Sequence, residues 1–171
     1  VTGPAGAAYH GRMRYLVDGY NVTKGDPATR DLPIEGQRTA LVARLATRGR
    51  DLLGSGDVLV VFDGRAGLGG GERQGAVSVR YSRDESADEL IVRVAREAVS
   101  AFALVTSDHE LAQRAADAAE VAVEVRGRES VYGGAKPRRR RAGRPGRDEE
   151  SPPDASAITK ELKDLWLSKE E

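Results

Sequence analysis

Three short, almost wholly apolar runs organise this chain: MRYLVD at 13–18, DVLVVFD at 57–63 and FALVTS at 102–107. A strand with one wet face alternates apolar and polar side chains, so near-continuous apolar runs of this length describe strands buried on both faces. Such a sheet needs helices on each side, and the intervening sequence supplies them. IEGQRTALVARLATRGRDLLGSG places Leu41, Val42, Leu45, Leu52 and Leu53 at roughly helical spacing and stops at Gly54. SADELIVRVAREAVS, 86–100, gathers Leu90, Ile91, Val94, Ala95 and Ala98 on one side. DHELAQRAADAA, from position 108, is a further helix. Two weaker runs complete the set: AVSVRYS at 76–82, which alternates and is expected nearer an edge, and VAVEV at 121–125, followed by RESVYGG with a turn of helix. The stretches DGYN and TKGDPATRDLP read as turn and loop. Strand and helix alternate, which predicts an α/β fold, a parallel sheet of about five strands with helices on both faces.

The expected domain spans 13–133, flanked by a disordered leader at 1–12, a basic Pro/Gly/Arg-rich linker at 134–154 and an amphipathic helix at 155–171 carrying Leu162, Leu165 and Trp166. Met13 is a second candidate start. The leader lacks the charged beginning and apolar middle of a signal peptide. No apolar run approaches the ~18 residues of a membrane span, so a cytoplasmic protein is expected. There is no cysteine and there are two histidines, which excludes disulfides and thiolate metal sites. A metal here would be held by oxygen, which favours Mg²⁺ or Mn²⁺. The zero net charge hides an uneven spread: residues 1–135 hold 17 basic and 19 acidic side chains, whereas KPRRRRAGRPGR, 136–147, holds seven basic and no acidic ones.

In parallel sheets of this kind the functional crevice lies outside the carboxyl ends of the strands, near the point where strand order reverses. Strand one ends at Asp18, strand two at Asp63 and strand four at Ser107-Asp108, while Asp84, Glu85 and Asp88 open the helix after strand three. Each acid also has an ordinary structural reading. Ser86 with Glu89, and Ser107 with Glu110, match capping boxes, and acids in a first helical turn suit the dipole. Asp18 and Asp63 precede glycine and suit turns. Turn chemistry does not require every one of these strands to finish in acid, however. Clustered carboxylates repel one another unless a cation offsets them, and a divalent ion held by carboxylates can activate water for in-line displacement at a phosphodiester.

The runs YLVDGYNV, PIEGQRTALVARL, VLVVFDG, SADELI and LVTSD, in this order over about residues 13–132, resemble the YacP-like NYN-domain family, within the PIN-like superfamily of metal-dependent ribonucleases. The resemblance implies a PIN-like, Rossmann-like sheet with an acidic crevice. It implies an Mg²⁺- or Mn²⁺-dependent endoribonuclease hydrolysing RNA, with translated mRNA at the ribosome as one substrate setting. By position, Asp18, Asp63, Asp88 and Asp108 match the catalytic acids, with Asp18, Asp88 and Asp108 the metal ligands. Asn21, Thr106 and Ser107 match supporting positions. Arg38 matches a basic position on the first helix and is a candidate phosphate contact or a solvated arginine paired with Glu35, one turn earlier. The glycine-rich loop GRAGLGGGERQG has no counterpart in the resemblance, and the basic linker replaces the helix that family members carry there.

Substrate affinity is expected from Lys136, Arg138, Arg139, Arg140 and Arg141, which would meet phosphates in a salt-sensitive, sequence-blind way, and from Tyr20, placed to stack on a base or to pack at the sheet rim. GLGGGE is not a phosphate loop, because it lacks the Lys-Ser/Thr ending. Two other readings remain: a catalytically inactive RNA- or ribosome-binding module, and a phosphoryl-accepting receiver domain using Asp63. The receiver reading lacks the paired acids after strand one and the later lysine.

Overall fold

The computed structural model describes residues 13–64 and 72–136. The expected leader, the expected helix at 155–171 and the expected linker beyond Lys136, with Arg138, Arg139, Arg140 and Arg141, lie outside the described residues.

Six strands form one sheet: β1 (Met13–Asp18), β2 (Asp57–Phe62), β3 (Arg73–Gln74), β4 (Val77–Tyr81), β5 (Phe102–Val105) and β6 (Val123–Arg126), in the order β3-β4-β2-β1-β5-β6. All neighbouring pairs are parallel except β3 with β4. The sequence suggested five strands with the third near the edge. The additional strand is the two-residue β3, which covers the outer side of β4. Both its residues are exposed, so no apolar pattern announces it.

The helices are α1 (Gly19–Gly25), α2 (Ile34–Leu52), α3 (Ala87–Arg96) and α4 (His109–Ala118), followed by a 3₁₀ turn at Arg128–Val131. α3 is shorter than the periodic stretch 86–100, because the Glu97 amide turns back to the carbonyls of Arg93 and Ala95 and closes the helix. The DGYN stretch, read as a turn, is the start of α1. Side chains leave each central strand alternately for two cores. Tyr15, Val17, Val58, Val60, Phe62, Ala103 and Val105 join Val22, Leu41, Leu45 and Leu52 on one face. Leu16, Leu59, Val61, Phe102 and Leu104 join Leu90, Ile91, Val94 and Leu111 on the other. Met13 falls with Leu16 because the β1–β2 register slips between Met13 and Tyr15.

Gly19 permits the tight passage from β1 into α1. A Cβ there would run into the Phe62 ring and lie 2.8 Å from the Val61 carbonyl oxygen. The chain therefore turns against β2 at this point, and the residue just before it, Asp18, is carried to the sheet's edge.

Candidate active site at the carboxyl ends of the strands

From β1 the chain builds outward through β2 to β4, then returns to place β5 on the opposite side of β1. The strand order thus reverses between β1 and β5, and the residues that end those two strands are Asp18 and Thr106-Ser107-Asp108. Asp18 caps α1: one carboxylate oxygen accepts the Asn21 amide at 3.3 Å. Its other oxygen accepts the Thr106 hydroxyl at 3.2 Å. The same Thr106 oxygen accepts the Asp108 amide at 3.1 Å. Asp108 in turn caps α4 through the Leu111 amide at 3.0 Å. The Asn21 side-chain oxygen accepts the Ser107 amide at 3.0 Å, and the Ser107 hydroxyl accepts the Arg128 amide at 3.2 Å. Asn21, Thr106 and Ser107 therefore tie the two strand ends together, with Asn21 bracing the backbone beside the acids.

Asp88 stands in the first turn of α3. The capping box there is made by Ser86 and Glu89, which satisfy each other's backbone amides. Asp88 takes no part in it and faces the other acids. Partial burial, chiefly, and the charge of Asp108 lift its carboxyl above the ordinary aspartate range; Arg114 opposes the shift, while Asp63 and Glu110 add to it. Asp18 is pushed up to about 6, first by burial. The bonds from Asn21 and Thr106 pull it back, and the charges of Asp88 and Asp108 raise it further. Asp63 is exposed at the end of β2, its carboxylate held by the Ser82 hydroxyl at 2.8 Å. The four acids thus occupy one rim, where Asp88 and Asp108 act on Asp18, and Asp108 and Asp63 act on Asp88.

A second buried aspartate provides a control within the same molecule. Asp26 is 1% exposed and meets the Arg44 guanidinium at 2.5 Å, with the Ala28 and Gly133 amides completing its shell. Asp18 is 8% exposed and has no such partner. Among the described residues none of Asp18, Asp63, Asp88 and Asp108 forms an ion pair. An unpaired buried carboxylate costs free energy, and an oxygen-seeking dication would relieve that cost. No three acidic or imidazole side chains among the described residues converge tightly enough to enclose an ion by themselves.

Tyr20 and Arg38 meet at the same rim, the Arg38 Nε–H donating to the Tyr20 hydroxyl at 2.6 Å. The guanidinium lies among aromatic rings, and no ion pair joins Arg38 to Glu35 among the described residues. Lys136 is exposed and lines a depression of about 450 Å³ with Leu52, Glu124, Arg126, Glu129, Ser130 and Ala135. That depression contains none of Asp18, Asp63, Asp88 and Asp108. A second hollow, about 370 Å³, is bounded by Gly54, Gly56, Val58 and Val77 near the amino ends of β2 and β4, and it too lies off the acidic rim. Sequence reasoning missed Ser82, which holds Asp63, and Arg114, which acts on Asp88 from α4; it gave Glu110 as the capping partner of Ser107, whereas Asp108 is the cap and Glu110 acts on Asp88. The i, i+4 spacing of Glu110 and Arg114 in a helix that begins at Asp108 was the available signal.

The sequence model of the YacP-like NYN domain matches residues 15–125. Among solved structures, that of Rae1 (YacP) from Bacillus subtilis, a point mutant, is similar: 26% sequence identity and a TM-score of 0.50, covering 66% of this chain and 69% of that one. None of the curated proteins matches the sequence.

Proposed function

This chain belongs to the YacP-like NYN domain family, which is nuclease-like, and from that premise we propose that it is a Mg²⁺- or Mn²⁺-dependent endoribonuclease that hydrolyses RNA phosphodiesters. The observation that carries the reading is the buried, unpaired Asp18 at the strand-order reversal, within electrostatic reach of Asp88 and Asp108. In this proposal Asp18, Asp88 and Asp108 hold the ion, and Asp63 contributes from the rim. When bound, the ion supplies Lewis acidity toward the phosphate oxygens and the attacking water. Thr106 fixes the Asp18 carboxylate by donating to it, and its own oxygen is fixed by the Asp108 amide. Asn21 holds the β5–α4 turn in register with α1. These bonds set the carboxylates before substrate arrives, so little reorganisation is needed at the moment of reaction. Water, rather than the 2′-hydroxyl, attacks in line and the 3′-oxygen leaves and takes up a proton, giving a 5′-phosphate and a 3′-hydroxyl. Translated mRNA at the ribosome is the proposed setting, with the basic stretch beginning at Lys136 supplying affinity for the RNA backbone. No helix among the described residues is long and apolar enough to cross a membrane, and we place the reaction in the cytoplasm.

The experiment is cleavage of single-stranded RNA with Mn²⁺ by the wild type and by Asp18→Asn, with end-group mapping of the products. Metal-dependent cutting lost in the variant is the expected result. Equal cutting by both proteins overturns the assignment. A second reading, RNA binding without cutting, draws on the absence of a close three-carboxylate cluster among the described residues. Binding by the wild type with no metal-dependent cleavage would decide for it.

A further inference from the structure

Arg38 occupies a surrounding that none of the acids explains. Its guanidinium carbon lies 5.1 Å from the centre of the Tyr81 ring, 5.5 Å from Tyr20 and 5.9 Å from Phe62. Tyr20 meets Phe62 edge-on at 5.1 Å, and Phe62 stacks with Tyr81 at 6.2 Å. Three rings from α1, β2 and β4 thus form a collar around a cation carried by α2. The rings orient the guanidinium and attract it through their quadrupoles, but they do not neutralise it. Asp63 presents its carbonyl oxygen to the Arg38 Nη2 at 3.5 Å, while its carboxylate is turned to Ser82. Among the described residues no carboxylate pairs with Arg38. The acid that acts on the collar is Glu72, beside Tyr81.

A guanidinium carries five N–H donors in a flat fork, and two contacts, to Tyr20 and to the Asp63 carbonyl, engage only part of it. What remains suits an oxyanion with two oxygens in a plane, and a phosphodiester is the common one. The rings suit the rest of a nucleotide. Tyr20 and Tyr81 are half-buried, and Lys24 lies 5.3 Å from the Tyr20 ring centre, adding a second cation to the same patch. Base stacking on an aromatic ring is tolerant of sequence but needs an unpaired base. Placement fits a neighbour of the reacting group rather than the group itself: Tyr20 follows Asp18 by two residues, and Asp63 joins the collar through its backbone while acting on Asp88 through its carboxylate.

We infer that Arg38, collared by Tyr20, Phe62 and Tyr81, is a nucleotide subsite that grips a phosphodiester adjacent to the one cut, in an unpaired RNA strand, with a tyrosine ring against the base. The adjacency rests on the nuclease reading; the binding does not.

The test uses the full chain in EDTA, so that no cleavage intervenes, with a fluorescent oligouridylate of about eight nucleotides, long enough to reach several phosphates. Arg38→Gln is expected to bind about tenfold more weakly, the scale of one charged hydrogen-bonded contact. Its slope of log affinity against log salt should fall by about 0.7, one phosphate fewer on a single strand. Arg38→Lys keeps the charge and should retain the slope while losing affinity. In the wild type the Arg38 Nε–H resonance, held by Tyr20, should shift on RNA addition. Unchanged affinity and slope in Arg38→Gln overturns the subsite. If that variant melts early, the wild-type resonance decides, and no shift at saturating RNA overturns it. With the RNA annealed to its complement, the Gln substitution should cost little. An equal loss on duplex overturns the unpaired-strand requirement. Failure of Mn²⁺-dependent cutting with these binding effects intact would remove the nuclease reading and leave the subsite standing.

Discussion

Replacing Asp18 by Asn should stabilise the metal-free protein while abolishing the proposed RNA cleavage. Burial and the neighbouring acids hold the Asp18 carboxyl at about 6, against an ordinary 3.8. At about 1.4 kcal/mol for each tenfold change in proton affinity, keeping this group ionised in the folded protein costs roughly 3 kcal/mol. The folded state binds the proton more tightly than the unfolded state, so this group's contribution to stability is fully present below pH 3.8, falls as pH rises toward about 6 and is level above it. The amide of Asn carries no charge to desolvate. It still offers one oxygen to the Asn21 amide or the Thr106 hydroxyl, and loses about 1 kcal/mol for the other bond. The net gain at pH 7.5 is therefore about 2 kcal/mol, or roughly 6–10 °C in melting temperature for a domain of this size.

The assay is thermal melting of both proteins in EDTA from pH 3.5 to 8. The variant should melt higher at neutral pH, and the gap should close and reverse near pH 4. Mn²⁺ should then raise the wild type, by about 2.7 kcal/mol at a hundredfold excess over its dissociation constant, and leave the variant where it was. A variant that melts at or below the wild type at pH 7.5, with a gap independent of pH, would refute the reasoning. It would mean that the Asp18 carboxylate is neutralised within the protein.

Arg44→Ala should destabilise by about 3–5 kcal/mol, because it strands the buried Asp26; urea unfolding measures this, and Arg44→Ala combined with Asp26→Asn should recover part of the loss. Gly19→Ala should cost on the order of 1–3 kcal/mol by thermal melting, since the added methyl must displace the buried Phe62 ring; a melt equal to the wild type would show that α1 can move away from β2.

The parallel sheet was legible because its central strands are buried on both faces and therefore read as unbroken apolar runs. Its two additions were not. β3 is two exposed residues that gain strand character only by pairing with β4. α1 has glycine at each end and the β-branched Val22 and Thr23 inside, a composition with poor helix propensity. It is held by tertiary features: the Asp18 cap, the burial of Val22 and the close seat of Gly19 on β2. The Arg38 collar was hidden for a similar reason. Glu35 is the partner that helical spacing offers, but the rings that surround the guanidinium come from residues 20, 62 and 81, in three elements. The acids were legible as a set because the sheet's topology turns strand ends into neighbours, which is a property of order along the chain.

What distinguishes a structural acid from a candidate ligand was not legible, and Asp18 and Asp26 show why. Asp18 precedes a glycine and Asp26 follows one, and both are buried. In sequence they lie eight residues apart, one ending an apolar run and one inside a loop, and neither position reveals which of them meets a cation. Asp26 is neutralised by Arg44, which α2 delivers from 18 residues away, together with two backbone amides. Asp18 receives an amide and a hydroxyl but no cation, and Asp88 and Asp108 add like charge to its surroundings. The fold has an arginine in reach of one buried carboxylate and two further carboxylates in reach of the other. Folding alone does not favour the second arrangement, since a neutral amide would keep one of its two hydrogen bonds and avoid the larger cost of the buried charge. In the proposed function a ligand that requires the charge at position 18 accounts for it, and the melting experiment with and without Mn²⁺ asks whether that ligand is a metal ion.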